Sequence, residues 1–202
     1  MSDRPPSRLV GDLATAGADA RAVVLVEGVS DKVALEALAE RRGRDLGAEG
    51  VAVVSMGGAT NIRAYLEAFG PDGRDLPLAG LCDAREEPYV RRGLEATGLG
   101  VRLDRAEMAA LGFHVCVADL EDELIRALGA PAVERIVAAQ GELGAFRTLQ
   151  RQGPHRLRST EAQLRRFLGT RGGRKTRYAR RLVDALDLAR VPPPLEGVLA
   201  AV

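Results

Sequence analysis

Five carboxylates fall where they can act together. Glu27 ends the apolar run Val23-Val24-Leu25-Val26, and Asp31 lies four residues further on. Asp83 follows Leu78 to Cys82, and Asp119 and Glu121 follow Phe113 to Val117. Acids delivered to one place repel one another unless a cation neutralises them or one keeps its proton. A ligand set made only of oxygen favours a hard ion such as Mg²⁺ or Mn²⁺, whereas zinc would draw on His or Cys. His114 falls inside a strand-like segment and His155 in a loop, neither with a partner at ligand spacing. His114 reads as a strand residue facing a helix.

Bringing those acids to one edge requires parallel strands. Ala22 to Glu27 predicts a first strand, buried on both faces because its apolar run is unbroken. Gly28 allows a tight turn, and Ser30 or Asp31 is placed to cap a helix running from Ser30 to about Arg42. Val51 to Ser55 predicts a second strand, followed by Met56-Gly57-Gly58 and a helix capped by Thr60 that runs to Phe69. Amides exposed at that Gly-Gly turn suit a phosphate or a backbone carbonyl equally well. Leu78 to Cys82 predicts a third strand, with helices from about Pro88 to Ala96 and from Asp104 to Leu111. Phe113 to Val117 predicts a fourth, and a new helix starts near Asp119 to Glu123. Strands alternating with helices argue for an α/β fold with a mostly parallel sheet flanked by helices, whose ligands lie beyond the carboxyl ends of the strands. Beyond Gly129 the pattern is helical, with breaks at Gly153-Pro154 and Gly172-Gly173, and Pro192-Pro193-Pro194 is expected to stop the last long helix. Leu182, Val183 and Leu186 read as core. The chain divides into an N-terminal arm with a short helix (1–20), an α/β core (21–128) and a basic helical extension (129–202).

Composition bounds the function classes. The 202 residues are 46% hydrophobic and only 3% aromatic, with a formal net charge of +1, so bulk charge identifies no partner. Its distribution is informative, because twelve Arg or Lys residues and one acid, Glu161, lie between Arg147 and Arg181. Such a basic flank can follow a phosphate backbone or form a solvated helical face. Arg165, Arg166, Arg171, Arg174 and Arg177 are its nucleic-acid-binding candidates. The chain has two lysines, Lys32 and Lys175. Cys82 and Cys116 fall in core strands, as expected of buried thiols in a reducing compartment. No signal peptide and no long apolar segment are present, so the expected location is cytoplasmic, away from membranes.

The ordered set of motifs resembles a Toprim domain, the catalytic fold of topoisomerases, bacterial primases and OLD-family (overcoming lysogenization defect) nucleases. Val26-Glu27-Gly28-Val29-Ser30-Asp31-Lys32, the Gly57-Gly58 turn, Asp83, Asp119-Leu120-Glu121 and Lys175 near Tyr178-Ala179 resemble the Toprim half of OLD-family endonucleases most closely. The resemblance implies a Toprim-like fold and metal-dependent cleavage of nucleic acid, DNA rather than RNA, with two Mg²⁺ or Mn²⁺ ions. It implies that Glu27, Asp31, Asp83, Asp119 and Glu121 bind metal, with Glu27 also active in acid-base chemistry. Lys175 would offset charge on the phosphate in the transition state. Two departures stand out. The family's Asp-x-Asp motif reads Asp83-Ala84-Arg85-Glu86-Glu87, so Glu86 or Glu87 must reach back to substitute, or Arg85 neutralises the site. No G-x-x-x-x-G-K-[ST] loop is present, so any ATPase would be a separate chain, or the activity is independent of ATP. The alternative reading is a catalytically reduced Toprim module that binds nucleic acid or a partner ATPase.

Overall fold

The computed structural model describes residues 19–202. The arm expected over residues 1–20 falls almost wholly outside them.

Four short strands form one parallel sheet in the order β2-β1-β3-β4: β1 (Ala22–Val26), β2 (Val51–Ser55), β3 (Leu78–Cys82) and β4 (Phe113–Val115). Val24 pairs with Val53 on one side and Ala79 on the other. Every residue of β1 is buried, as an unbroken apolar run in a central strand requires. Its alternation divides the core in two. Ala22, Val24 and Val26 face a cluster that includes Leu35, Leu38, Leu124 and Tyr178. Val23 and Leu25 face Ile62, Tyr65, Leu66, Phe69, Val90 and Leu94. The helices on that second face are α2 (Ile62–Phe69), α3 (Glu87–Ala96) and α4 (Arg105–Ala110).

The first face carries α1 (Val29–Arg41), α5 (Leu120–Leu128) and five later helices. These are α6 (Ala130–Ala139), α7 (Leu143–Arg151), α8 (Thr160–Leu168), α9 (Arg174–Asp184) and α10 (Pro193–Ala200). Residues of all seven share one apolar cluster, so the extension is packed into the core of the sheet domain. Leu182, Val183 and Leu186 are buried in that cluster. No helix among the described residues is long and apolar enough to cross a membrane.

Three local expectations change. Neither Ser30 nor Asp31 caps α1. Gly28 takes the N-cap position in extended conformation, and Asp31 accepts a hydrogen bond from the Gly28 N–H at 2.8 Å. Thr60 caps nothing either, because Ala59–Asn61 first winds as a 3-10 turn and α2 begins at Ile62. The prolines do not stop α9. It ends at Asp184, where Arg41 donates to the carbonyls of Val183 and Leu186 at 2.7 and 2.8 Å. Pro193 and Pro194 instead open α10, where a missing N–H costs nothing. Helix α10 then crosses β4 so closely that a Cβ on Gly197 would lie 2.2 Å from the His114 ring. His114 is indeed a strand residue facing a helix, and burial lowers its pKa.

Candidate functional site

Because the chain leaves β1 for β2 on one side and β3 on the other, the topological switch lies between β1 and β3, where open α/β sheets place ligands. Glu27 directly follows β1 and Asp83 directly follows β3. Two turns hold them. At Gly57-Gly58, both residues have positive φ, and Gly58 N–H donates to the Glu27 carbonyl at 3.1 Å. That amide therefore serves a backbone carbonyl. After β3 the Asp83 carbonyl accepts from Glu86 N–H at 3.0 Å and Glu87 N–H at 3.2 Å, folding the chain back on itself.

That fold-back decides which acid joins the edge. Glu27, Asp83 and Glu86 each bring one carboxylate oxygen within 4.8 Å of the others. Glu87 is turned away and pairs with Arg105 at 2.7 Å. Arg85 is exposed, with no hydrogen bond or ion pair among the described residues, so it does not neutralise the cluster. No group among the described residues donates to the side chains of Glu27, Asp83 or Glu86. Three partly buried carboxylates without a donor are costly unless a cation joins them. Their all-oxygen donor set fits a hard divalent ion, whose ligand distances are about 2.0–2.6 Å.

The electrostatics match. Burial, then the charge of Glu86, raises the Glu27 pKa. Burial pushes Asp31 up to about 7, against the Gly28 hydrogen bond and with help from Glu121 and Glu27. Asp83 is pushed up to about 8 by burial and by the charges of Asp31, Asp119, Glu27 and Glu121. The two thiols nearby, Cys82 and Cys116, are free, buried and raised by desolvation, which leaves them inert.

The two remaining acids are in a different condition. Asp119 caps α5, accepting from Asp122 N–H at 2.9 Å, and its other oxygen takes Arg165 Nε at 2.6 Å. Glu121 is buried and pairs with Lys175 Nζ at 2.7 Å. Burial works to lower the Lys175 pKa, but the Glu121 hydrogen bond and the charges of Glu121, Asp119 and Asp83 outweigh it and raise it. Lys175 is nonetheless 45% exposed at its side chain, so it sits at the mouth of the cluster.

The basic track is broken up. Arg166 and Arg171 are exposed, without ion pairs among the described residues. Arg165 is committed to Asp119, and Arg177 leans on Glu142 at 3.0 Å. Arg174 is no surface residue at all. It is 3% exposed, donates to the Phe167 carbonyl at 2.8 Å and to Glu142 at 3.1 Å, and stacks over the Phe167 ring at 4.0 Å. Sequence reasoning missed Glu142, which also accepts from Tyr178 Oη at 2.7 Å. Its one signal is being a lone acid ahead of the basic run.

Residues 20–84 match the family model described as "Overcoming lysogenization defect protein-like, TOPRIM domain". The C-terminal region of the OLD protein of Xanthomonas campestris pv. campestris superposes with a TM-score of 0.68 at 27% identity, covering 90% of this chain and 94% of that one. The corresponding region of the Burkholderia pseudomallei OLD protein is alike in fold, with a TM-score of 0.67 at 22% identity over 90% of this chain and 96% of that one. No curated protein sequence matches the chain.

Proposed function

We propose that this chain, which carries a Toprim domain of the OLD-like type, cleaves phosphodiester bonds in nucleic acid with a divalent metal ion. The observation that carries the reading is the trio of Glu27, Asp83 and Glu86 at the switch point of the sheet, with no donor to it among the described residues. These three residues would hold Mg²⁺ or Mn²⁺, which when bound polarises a phosphoryl oxygen and makes water a nucleophile near neutral pH. Lys175 presents a positive charge beside them to offset the charge that develops on the phosphoryl oxygens. Asp31, with its pKa near 7, can hold or release a proton in the working range. The substrate is DNA rather than RNA, and the exposed Arg166 and Arg171 contact its backbone. In this reading residues 21–128 are the catalytic core and residues 129–202 supply Lys175 and the basic surface. An ATPase is the proposed protein partner.

The second reading, a module that binds without cutting, draws on Arg85 standing where the family has an acid. The turn that returns Glu86 to the cluster weighs against it.

Nicking of supercoiled plasmid tests the proposal, with Mg²⁺ and then Mn²⁺, on the wild type, Glu27→Ala and Lys175→Ala. The expected result is metal-dependent nicking in the wild type, reduced on the order of 10²–10³-fold in each variant. Undiminished nicking in Glu27→Ala would remove the trio from catalysis. Metal binding without any cleavage would favour the binding module.

A further inference from the structure

The acids at the sheet edge divide by partner, and the division implies a number of ions. Glu27, Asp83 and Glu86 are three carboxyl groups with no cation in contact among the described residues. Asp119 and Glu121 are two more, matched by Arg165 and Lys175 at 2.6 and 2.7 Å. We propose that the resting protein holds one divalent ion, in the Glu27–Asp83–Glu86 trio, and that Arg165 and Lys175 occupy the place of a second. The proposal rests on the metal-dependent reading above and concerns what regulates that same site.

The geometry of Asp119 supports it first. One carboxylate oxygen accepts the Asp122 N–H as a helix cap, and the other receives both Nε and a terminal nitrogen of Arg165 at 2.6 Å. Two guanidinium nitrogens converge on that one oxygen, a charged contact that leaves it little lone-pair capacity for an ion. Glu121 supports it second. Its side chain is 6% exposed, and Lys175 is its ion-pair partner among the described residues. A buried carboxylate that loses its partner pays a large desolvation penalty, so the departure of Lys175 and the entry of another cation are coupled. An ion entering this half meets a neutral assembly that already contains two positive charges.

Both cations come from the helical extension, and the extension is locked where they emerge. Arg174, next to Lys175, ties the start of α9 to Phe167 and Thr170 at the end of α8, the helix that carries Arg165. Glu142, ahead of α7, holds Arg174, Arg177 and Tyr178 together. Arg165 and Lys175 are thus presented as a preset pair. Both have a natural competitor for their carboxylates, because a phosphodiester offers guanidinium and ammonium groups an equivalent charged acceptor. A nucleic-acid phosphate drawing Lys175 and Arg165 away would free Asp119 and Glu121 for a second ion. Binding of substrate and of the second ion are then positively coupled, each strengthening the other by the same factor.

The test is the Mn²⁺ stoichiometry of the full chain at neutral pH, measured by calorimetry and by electron paramagnetic resonance. One ion per chain is expected for the free wild type. Two are expected in Arg165→Gln/Lys175→Met, and in the wild type bound to a duplex made uncleavable by phosphorothioate linkages. The second site should gain at least about tenfold in affinity in either case. Glu27→Gln should lose the first ion, which places it in the trio. Two tight ions in the free wild type would overturn the proposal while leaving the metal-dependent reading intact. A folded double variant that still binds one ion would overturn it as well. No ion in the wild type would overturn the metal reading itself, and this proposal with it. The wild-type count decides the matter even if the double variant fails to fold.

Discussion

Two groups of partly buried carboxylates show opposite uses of the same chemistry. Glu142 is surrounded by donors: Tyr178 Oη at 2.7 Å, Arg177 at 3.0 Å and Arg174 at 3.1 Å. Burial works to raise its pKa, but those hydrogen bonds and charges prevail and lower it. Asp83 stands among other acids without a donor among the described residues, and burial with its neighbours' charges pushes it up to about 8. The first arrangement is complete within the chain and joins the start of α7 to α9. The second has no donor among the described residues, and a cation is the partner proposed for it. A buried acid with all its partners marks architecture, and one deprived of them marks a place prepared for a ligand.

The contrast can be broken most severely at Glu142. Glu142→Ala leaves the Arg174 guanidinium buried and unpaired, and should cost about 3 kcal/mol of stability. For a chain of this size that is a fall in Tm of about 9 °C, readable by thermal denaturation. Asp83→Asn should act in the opposite direction. Asn is neutral without taking up a proton, so it removes the cost of keeping a buried acid protonated at neutral pH. It should stabilise the metal-free protein by on the order of 1 kcal/mol, or about 3 °C, and should abolish stabilisation by added Mn²⁺. An equal loss of stability at both positions would erase the distinction between the two clusters.

Titration sharpens the same comparison. Asp31 and Asp83 have pKa values raised in the folded state to about 7 and about 8, so between the ordinary carboxylate range and those values the folded chain binds more protons than the unfolded one. Stability of the metal-free protein should therefore fall as pH rises from about 5 to 8, the reverse of what a salt-bridged acid produces. Saturating Mg²⁺ should flatten that slope, and urea denaturation at each pH would show it. The smallest effect is expected on the exposed surface. Arg166→Ala and Arg171→Ala should leave stability within about 0.5 kcal/mol, while each lowers the salt dependence of duplex binding by about one unit of slope. A stability loss matching that of an Arg174 variant would place them in the architecture instead.

Much of the fold was legible because strand and helix periods differ so plainly here. The run Ala22 to Val26 is apolar at every position, and only a central parallel strand buries both faces of such a segment. Glu27 and Asp83 were legible for a related reason, since each directly follows a strand and the strands are parallel. Local chemistry read alone misled in small ways. Thr60 has the type of a cap, but a 3-10 turn precedes α2, and Pro192-Pro193-Pro194 opens a helix where it was expected to end one. Arg174 looked like its basic neighbours because spacing along the chain does not reveal which side of α9 meets Phe167 and Glu142.

The sequence by itself determined that acids would gather at one edge of a parallel sheet, because the hydrophobic pattern and chain direction dictate where each strand ends. Only the tertiary structure decided which acids have partners. Glu86 rather than Glu87 joins the cluster through a turn of a few residues, and Arg165 reaches Asp119 from 46 residues away. Pairing of charges depends on distances of a few ångströms between side chains on different elements, and those distances are set by packing.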